Sequence, residues 1–410
     1  MMSACGCGCD ALLVEVDAGP HDRKNAIVSF VSSHACGEDK VHLLHEVNAD
    51  GSLGAQVPCQ CLGEACACDE DDCVCCCEVM WIVPELKAGE SRRYQLCLGD
   101  ASESSGGGVT VEIEGDQKAT FRVNDDLFMS YVFKQEGMAR PFCYPVHGPG
   151  GKVIVREVNI PAKPGIDHEH HKGFWVAQGH VNDGEDNWSE MNDHATAECQ
   201  ELVIMSEGPV CGEIMAVNDW MSGRRGAKSK MLEEHTLIRV YNTPDCCRVM
   251  DWYINFVAGD KGFFFGDTKE AGTLSVRLKE SMEERNGGLI RNSYGAMTEA
   301  ENWGKRAEWV DYCGPVDGET VGVTIMDHPS NHGFPTHWHV RSYGLFTANQ
   351  WGIHDFTGDP GQRGDLTVKA GDVLSFRFRV FIHAGDTDSA NVAGQYLNFI
   401  YPPTVKLIEQ

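Results

Sequence analysis

The stretch Leu374-Ser375-Phe376-Arg377-Phe378-Arg379-Val380-Phe381-Ile382-His383 decides the fold class. Leu374, Phe376, Phe378, Val380 and Ile382 alternate with Ser375, Arg377, Arg379, Phe381 and His383. A period of two puts one set on each face of a β-strand. Five apolar side chains on one face need a second layer to cover them, so this strand belongs to a packed sheet. The mostly polar face is expected to meet solvent or line a cleft.

Working outward, most other apolar segments are also short and bounded by turn residues. Leu12–Val16, Ala26–Val31, Val41–Leu44, Val79–Val83 and Tyr94–Leu98 recur between turn signals and predict a small all-β module. Val109–Ile113 and Ala119–Val123 flank Gly115-Asp116 as a hairpin. Helical spacing is confined to Ser389–Ile400, through Val392, Tyr396, Leu397 and Ile400. Asn182–Glu198 is polar and acidic and reads as a long loop, of the kind that is functional or mobile. Missing alternate helices argue against a TIM barrel. The expected fold is mainly β, a large β-sandwich preceded by a small β-sandwich module. The boundaries are 1–100 for the small domain with a cysteine-rich insertion at 59–77, 101–108 (Ala-Ser-Glu-Ser-Ser-Gly-Gly-Gly) for a flexible linker, and 109–410 for the large domain.

The formal net charge is -27 with 42% hydrophobic residues. That describes a folded chain and disfavours nucleic acid and anionic membrane as partners. Met1 to Asp10 has neither a basic nor an apolar signal region, and no apolar run reaches the roughly 20 residues of a membrane helix, so the expected compartment is the cytoplasm. Of 19 cysteines, those at Cys5, Cys7 and Cys9 and those between Cys59 and Cys77 crowd into two patches. Cys59-x-Cys61, Cys66-x-Cys68 and Cys73-x-Cys75 repeat at a seven-residue step, unlike the paired cysteines of a zinc finger. In a reducing compartment, dense thiols favour metal over disulfide. Zinc at Cys59, Cys61, Cys66, Cys68, Cys73 and Cys75 is one reading; an idle insertion is the other.

Imidazole is the chemical theme of the rest. Asp167-His168-Glu169-His170-His171-Lys172 runs into the apolar Gly173-Phe174-Trp175-Val176-Ala177. If His337 to Tyr343 is extended, His337, His339, Arg341 and Tyr343 share a face. Imidazoles that ligate metal or move protons then join a guanidinium that clamps an anion. Asp327-His328 precedes this cluster, and Lys269-Glu270 stands at the end of the apolar Phe263-Phe264-Phe265 segment. Arg140, Tyr144 and His147 sit in a turn-rich stretch, and Trp175 and Trp303 offer faces for a sugar ring. Absence of a Walker loop, a dinucleotide Gly-x-Gly-x-x-Gly and a Gly-x-Ser-x-Gly elbow disfavours nucleotide binding and serine hydrolysis.

Six of these motifs, in order from about Phe128 to Pro402, resemble the bacterial PmoA-like family, labelled "methane oxygenase PmoA". They are Arg140-Pro-x-x-Tyr144-Pro-Val-His147, Asp167-His-x-His-His171-x-Gly-x-Trp175, Gly266-Asp-Thr-Lys-Glu270, Trp303-Gly-Lys-Arg-Ala-x-Trp309, Asp327-His-Pro-x-Asn331 and Pro335-Thr-x-Trp-His339-Val-Arg-x-Tyr343. The resemblance implies carbohydrate catabolism by association, and its β-rich pattern is compatible with the supersandwich of sugar mutarotases. Three functions stay open. One is an enzyme on a sugar or oxidised-sugar derivative, of epimerase, lyase or hydrolase type. In it His168, His171, His337 and His339 are acid/base groups, Arg341 the anion clamp and Lys269 with Glu270 a second polar pair. Its substrate contacts are Arg140, Tyr144, His147, Trp175, Trp303, Asp327, His328 and Tyr343. The second is an iron- or zinc-dependent enzyme, an oxygenase for example, at the same histidines. The third is a carbohydrate-binding protein without catalysis. All three place the two histidine clusters in one pocket with a small, sugar-like partner.

Overall fold

A computed structural model describes residues 11–32, 40–64, 77–100, 107–161, 163, 165–191, 193–223 and 228–408. Cys5, Cys7, Cys9, Cys66, Cys68, Cys73 and Cys75 therefore lie outside the described residues, as does most of the expected linker. The protein is mainly β and of the sandwich class. Among the described residues, no helix is long and apolar enough to cross a membrane.

The chain divides into two compact units. The smaller comprises Met1–Val109, Met205–Gly212 and Ala393–Gln410. It has a five-stranded sheet in the order Thr404–Ile408, Leu12–Asp17, Ser91–Asp100, Lys40–Val47, Leu53–Val57. A three-stranded sheet, Arg23–Ser32, Cys77–Leu86, Cys59–Glu64, faces it. Val14, Val16, Leu44, Tyr94 and Leu96 from one sheet and Val28, Val79, Trp81 and Val83 from the other make a single core. The unit is built from three segments, which a single boundary at 101–108 does not anticipate. Thr404–Ile408 pairs antiparallel with Leu12–Asp17 and completes the sheet edge. Buried Arg23 donates to the Ala18 carbonyl at 2.8 Å and to the Tyr401 carbonyl at 2.7 Å. Gln60 accepts from the amides of Val210 and Cys211 at 3.0 and 2.9 Å. Neither tie leaves a periodic signal in sequence.

The larger unit holds two eight-stranded sheets. The first runs His337–Val340, Leu345–Asn349, Ala271–Arg277, Phe174–Gln178, Phe142–Val146, Asp126–Val132, Lys118–Val123, Val109–Glu114. The second runs Thr196–Ser206, Cys211–Met221, Lys230–Tyr241, Cys247–Val257, Val373–Ala384, Glu319–Asp327, Trp309–Val316, Leu289–Asn292. The deciding strand lies within the second sheet, between Cys247–Val257 and Glu319–Asp327. Its apolar face is buried from Phe376 to Ile382, and Leu374 is half-buried. Its polar face is a correction: Arg379 makes a paired contact with buried Asp251 at 2.7 and 2.8 Å, and His383 reaches buried Asp311 at 3.1 Å. Those charges are matched within the sheet, while Ser375 on the same face stays exposed. The helix occupies Val392–Ile400.

The first sheet positions the candidate site. Phe174, Val276, Phe346 and Val340 are in register across four strands and are fully buried. This face meets the second sheet, as Phe346 does against Tyr312 with ring centroids 6.1 Å apart. Alternation then sends Trp175, Ser275, Thr347 and His339 to the opposite face. These four are buried too, at 4% exposure or less, although three are polar. Loops cover that outer face.

Candidate functional site

The loop preceding Phe174–Gln178 is folded by two arginines. Arg156 donates to the carbonyl of Asp167 at 2.8 Å, to that of His168 at 2.7 Å and to that of His171 at 3.1 Å. Arg277 ends the strand Ala271–Arg277, where its amide donates to the Gly173 carbonyl at 2.9 Å. Its guanidinium reaches the Asp167 carboxylate at 3.2 Å and Nδ1 of His171 at 3.2 Å. Burial alone would raise the Asp167 carboxyl, but the bond from His168 and the cations of Arg277 and Arg156 bring it down to about 2.

This loop is not extended. The His171 amide donates back to the His168 carbonyl, and His168 takes a positive φ of 44°. The turn stacks its rings instead. Trp175, His171, His168 and Tyr343 lie nearly parallel, with successive centroids 5.3, 4.9 and 5.1 Å apart. Tyr343 comes from the downstream cluster, so the stack joins the two motifs. Downstream, the strand ends at Val340, and Arg341 to Gly344 form a turn closed by the Gly344 amide on the Arg341 carbonyl. Arg277 lies 4.6 Å over the Tyr343 ring. Beside Tyr343 opens a pocket of about 400 Å³, lined by Arg156, Arg277 and Arg285 and by Asp167, Glu280 and Glu283.

The imidazoles differ in what they present. Nδ1 of His339 lies 2.8 Å from the Lys269 carbonyl, which can only accept. The proton therefore sits on Nδ1 and the lone pair on Nε2. Burial holds His339 neutral, its pKa pushed down to about 4. Nδ1 of His171 faces the guanidinium of Arg277, which can only donate. His171 therefore carries its proton on Nε2, and burial with nearby cations holds it far below the ordinary imidazole range. His170 is pushed down to about 4 by burial and Arg140. Glu270 is ion-paired with Lys269, and both side chains are well exposed. Burial would raise Glu270, but Lys269, His339 and His170 outweigh it and hold it ionised. Its field reaches His170, His339 and Tyr343.

Several predicted residues have other work. Arg140 is buried and holds loop backbone, donating to the carbonyls of Asn187, His170 and Trp188. Arg341 pairs with Glu299 at 3.2 Å, so the cations on the pocket are Arg156, Arg277 and Arg285. His337 stacks on Phe356 at 5.7 Å, and Trp303 packs edge-on against the same ring at 5.3 Å. Asp327 is buried and accepts from Asn331 and from the Thr336 amide, burial pushing it up to about 7. His328 bonds Ser330 at 2.7 Å, His147 bonds the Gly151 carbonyl at 2.9 Å, and Tyr144 packs in the apolar cluster of Trp175 and Trp188. Sequence reasoning missed Arg156, Arg277, Trp188 and Glu190. The strand Ala271–Arg277 carried the signal for Arg277, because Thr273, Ser275 and Arg277 alternate with Gly272, Leu274 and Val276.

Among the described residues, three sets have donor atoms within 4.8 Å of one another: His42 with Cys61 and Cys77, Asp311 with Cys313 and His383, and Asp267 with His354 and Asp355. No set includes the stacked histidines, His339 or Glu270. Cys59 and Cys61 are on the strand Cys59–Glu64 of the smaller unit.

A family model matches residues 118–397, which takes in the loop, the stack and the pocket. The chain belongs to DUF6807, a family of unknown function. No curated protein matches this DUF6807 chain. Among solved structures it is similar to an alpha-mannosidase from Enterococcus faecalis V583, with TM-score 0.48 and 11% identity over 97% of this chain and 46% of the mannosidase. It is also similar to a glycosyl hydrolase family 38 protein from Enterococcus faecalis, with TM-score 0.47 and 10% identity over 97% of this chain and 47% of that one. The chain thus spans about half the length of these two structures.

Proposed function

We propose that this DUF6807 chain is a carbohydrate-related enzyme that removes a proton from a sugar or oxidised-sugar derivative, with Nε2 of His339 as the base. The observation that carries this reading is the His339–Lys269 hydrogen bond, which leaves a lone pair on a neutral, buried imidazole. A base must be unprotonated at working pH, and His339 meets that condition. The chemistry is abstraction of a proton next to a carbonyl, common to epimerases and β-eliminating lyases. The Lys269 ammonium, which pairs with Glu270 and whose charge reaches His339, is suited to the negative charge that develops on the carbonyl oxygen.

The pocket beside Tyr343, whose lining does not include His339 or Lys269, suits the part of a polyhydroxylated ligand that does not react. Guanidinium donors and carboxylate acceptors in equal number suit hydroxyl groups, which both give and take hydrogen bonds. The volume falls in the range of about 300–1,000 Å³ usual for small-molecule sites. Two of the six motifs that resemble the PmoA-like family, Asp167 to Trp175 and Pro335 to Tyr343, supply the loop, the stack and the turn.

The test is solvent exchange. Aldoses, ketoses, uronates and keto-sugars are incubated with the protein in deuterium oxide and followed by proton NMR. Wild type is expected to exchange one carbon-bound proton of its substrate. His339→Gln should slow this on the order of 10²-fold or more, the usual share of a general base. A ligand that saturates the protein without exchange or conversion favours the carbohydrate-binding reading. Exchange that disappears on chelation and returns with iron or zinc favours the metal-dependent one.

A further inference from the structure

The smaller unit carries a second chemistry. His42 lies on the strand Lys40–Val47 and Leu44 follows it into the core, so His42 points inward from the five-stranded sheet. Cys61 and Cys77 lie on Cys59–Glu64 and Cys77–Leu86, paired strands of the facing sheet. Cys61 stands opposite Val79, and Cys77 shares the inner face with Val79 two residues away, so the two cysteines are neighbours on that face. Nδ1 of His42 is 3.8 Å from Sγ of Cys77, and all three donor atoms lie within 4.8 Å of one another. His42 and Cys77 are buried, at 6% and 4% exposure.

We propose that His42, Cys61 and Cys77 bind a thiophilic divalent cation, zinc in character, that staples the two sheets of the smaller unit. Zinc takes sulfur at about 2.3 Å and imidazole nitrogen at about 2.0–2.1 Å in a tetrahedron, which sets its ligands roughly 3.5–3.8 Å apart. The His42–Cys77 separation already has that value, and the third donor closes by about an ångström. Two thiols release their protons to solvent on binding, and the two thiolates neutralise the dication. The charge is then matched inside a low-dielectric core. Of the three donor sets, the His42 set alone brings two thiols together, which is what a thiophilic cation prefers. Asp311 accepts from Thr324, Thr387 and His383, and Asp267 from His354 and the Gly364 amide. Cys59 stands apart, its thiol donating to the His42 carbonyl at 3.2 Å. The inference shifts the cysteine-rich expectation from a repeat within one insertion to a site that spans two sheets.

The test uses the full chain, reduced with a phosphine, with cobalt(II) as the probe. Cys5, Cys7, Cys9, Cys66, Cys68, Cys73, Cys75 and Cys76 are first changed to Ser. In that background about one equivalent of cobalt should bind with thiolate charge-transfer bands, and zinc should displace it and raise the melting temperature. Adding Cys61→Ser with Cys77→Ser should abolish both effects. His42→Cys should keep the metal and intensify the thiolate band, which decides the matter if the serine variant does not fold. No cobalt uptake in the background protein overturns the proposal. So does uptake with a band that His42→Cys leaves unchanged.

Discussion

Replacing Arg140 tests whether the loop carrying His170 is held by one buried cation. Arg140 is 2% exposed and donates at 2.8, 2.8 and 3.0 Å to the carbonyls of Asn187, His170 and Trp188. It also lies 3.1 Å from Glu190, which pairs with Lys172 as well. Arg140→Met leaves three carbonyls unpaired and Glu190 with half its counter-charge. Breaking a buried pair from one side costs about 3–5 kcal/mol. Arg140→Lys keeps the charge but lacks the planar fork and cannot reach all three carbonyls. Losing one such charge-assisted bond costs roughly 1.5–3 kcal/mol. The expected order of stability is wild type, then Lys, then Met. Urea unfolding followed by tryptophan fluorescence reads the cost, since Trp188, whose carbonyl Arg140 also holds, packs against His170. Hydrogen exchange should show faster amides from 165 to 191 in both variants. A Met variant within about 1 kcal/mol of wild type, with unchanged exchange there, refutes the clamp.

Other perturbations follow from the same geometry. Burial pushes His170, His328, His337 and His339 down to about 4, so the unfolded chain binds their protons more readily between about 4 and 6.5. Their contribution to stability is full above that window and lost as pH falls through it, which pH-dependent melts check. Asp327, raised to about 7, acts with the opposite sign, and Asp327→Asn should therefore steepen the acid loss. Gly173→Ala should yield little soluble protein, because φ is 53° and the new Cβ would meet the Cys143 carbonyl oxygen at 1.8 Å. Tyr343→Ala should weaken any pocket ligand and bare the one face of the already exposed His168 ring that Tyr343 covers, readable as a higher rate of histidine modification in mass spectrometry.

The fold class was legible because alternation is a local property. The strands at Leu12, Arg23, Lys40, Cys77 and Ser91 each contain their predicted apolar segment. Leu53–Val57 and Thr404–Ile408 were missed because they are edge strands whose side chains are largely exposed, so burial never imposed a pattern. At the site, the residue types were visible but their directions were not. The shared face expected of His337 to Tyr343 requires an extended chain, but the strand stops at Val340 and Arg341 to Gly344 form a turn. Histidine density located the loop correctly, yet the arginines that shape it come from 156 and 277, which only tertiary pairing reveals. Arg140 and Asp327 show the converse: conspicuous polar residues spent on satisfying buried backbone.

The three-segment make-up of the smaller unit has a consequence in time. Leu12–Asp17 is made early, but the strand that covers its edge follows roughly 390 residues later. At about 5–20 residues per second, a nascent chain waits roughly 20–80 s with that edge uncovered. Until Thr404–Ile408 emerges, the chain therefore presents an open β-edge to any chaperone or neighbouring chain at hand.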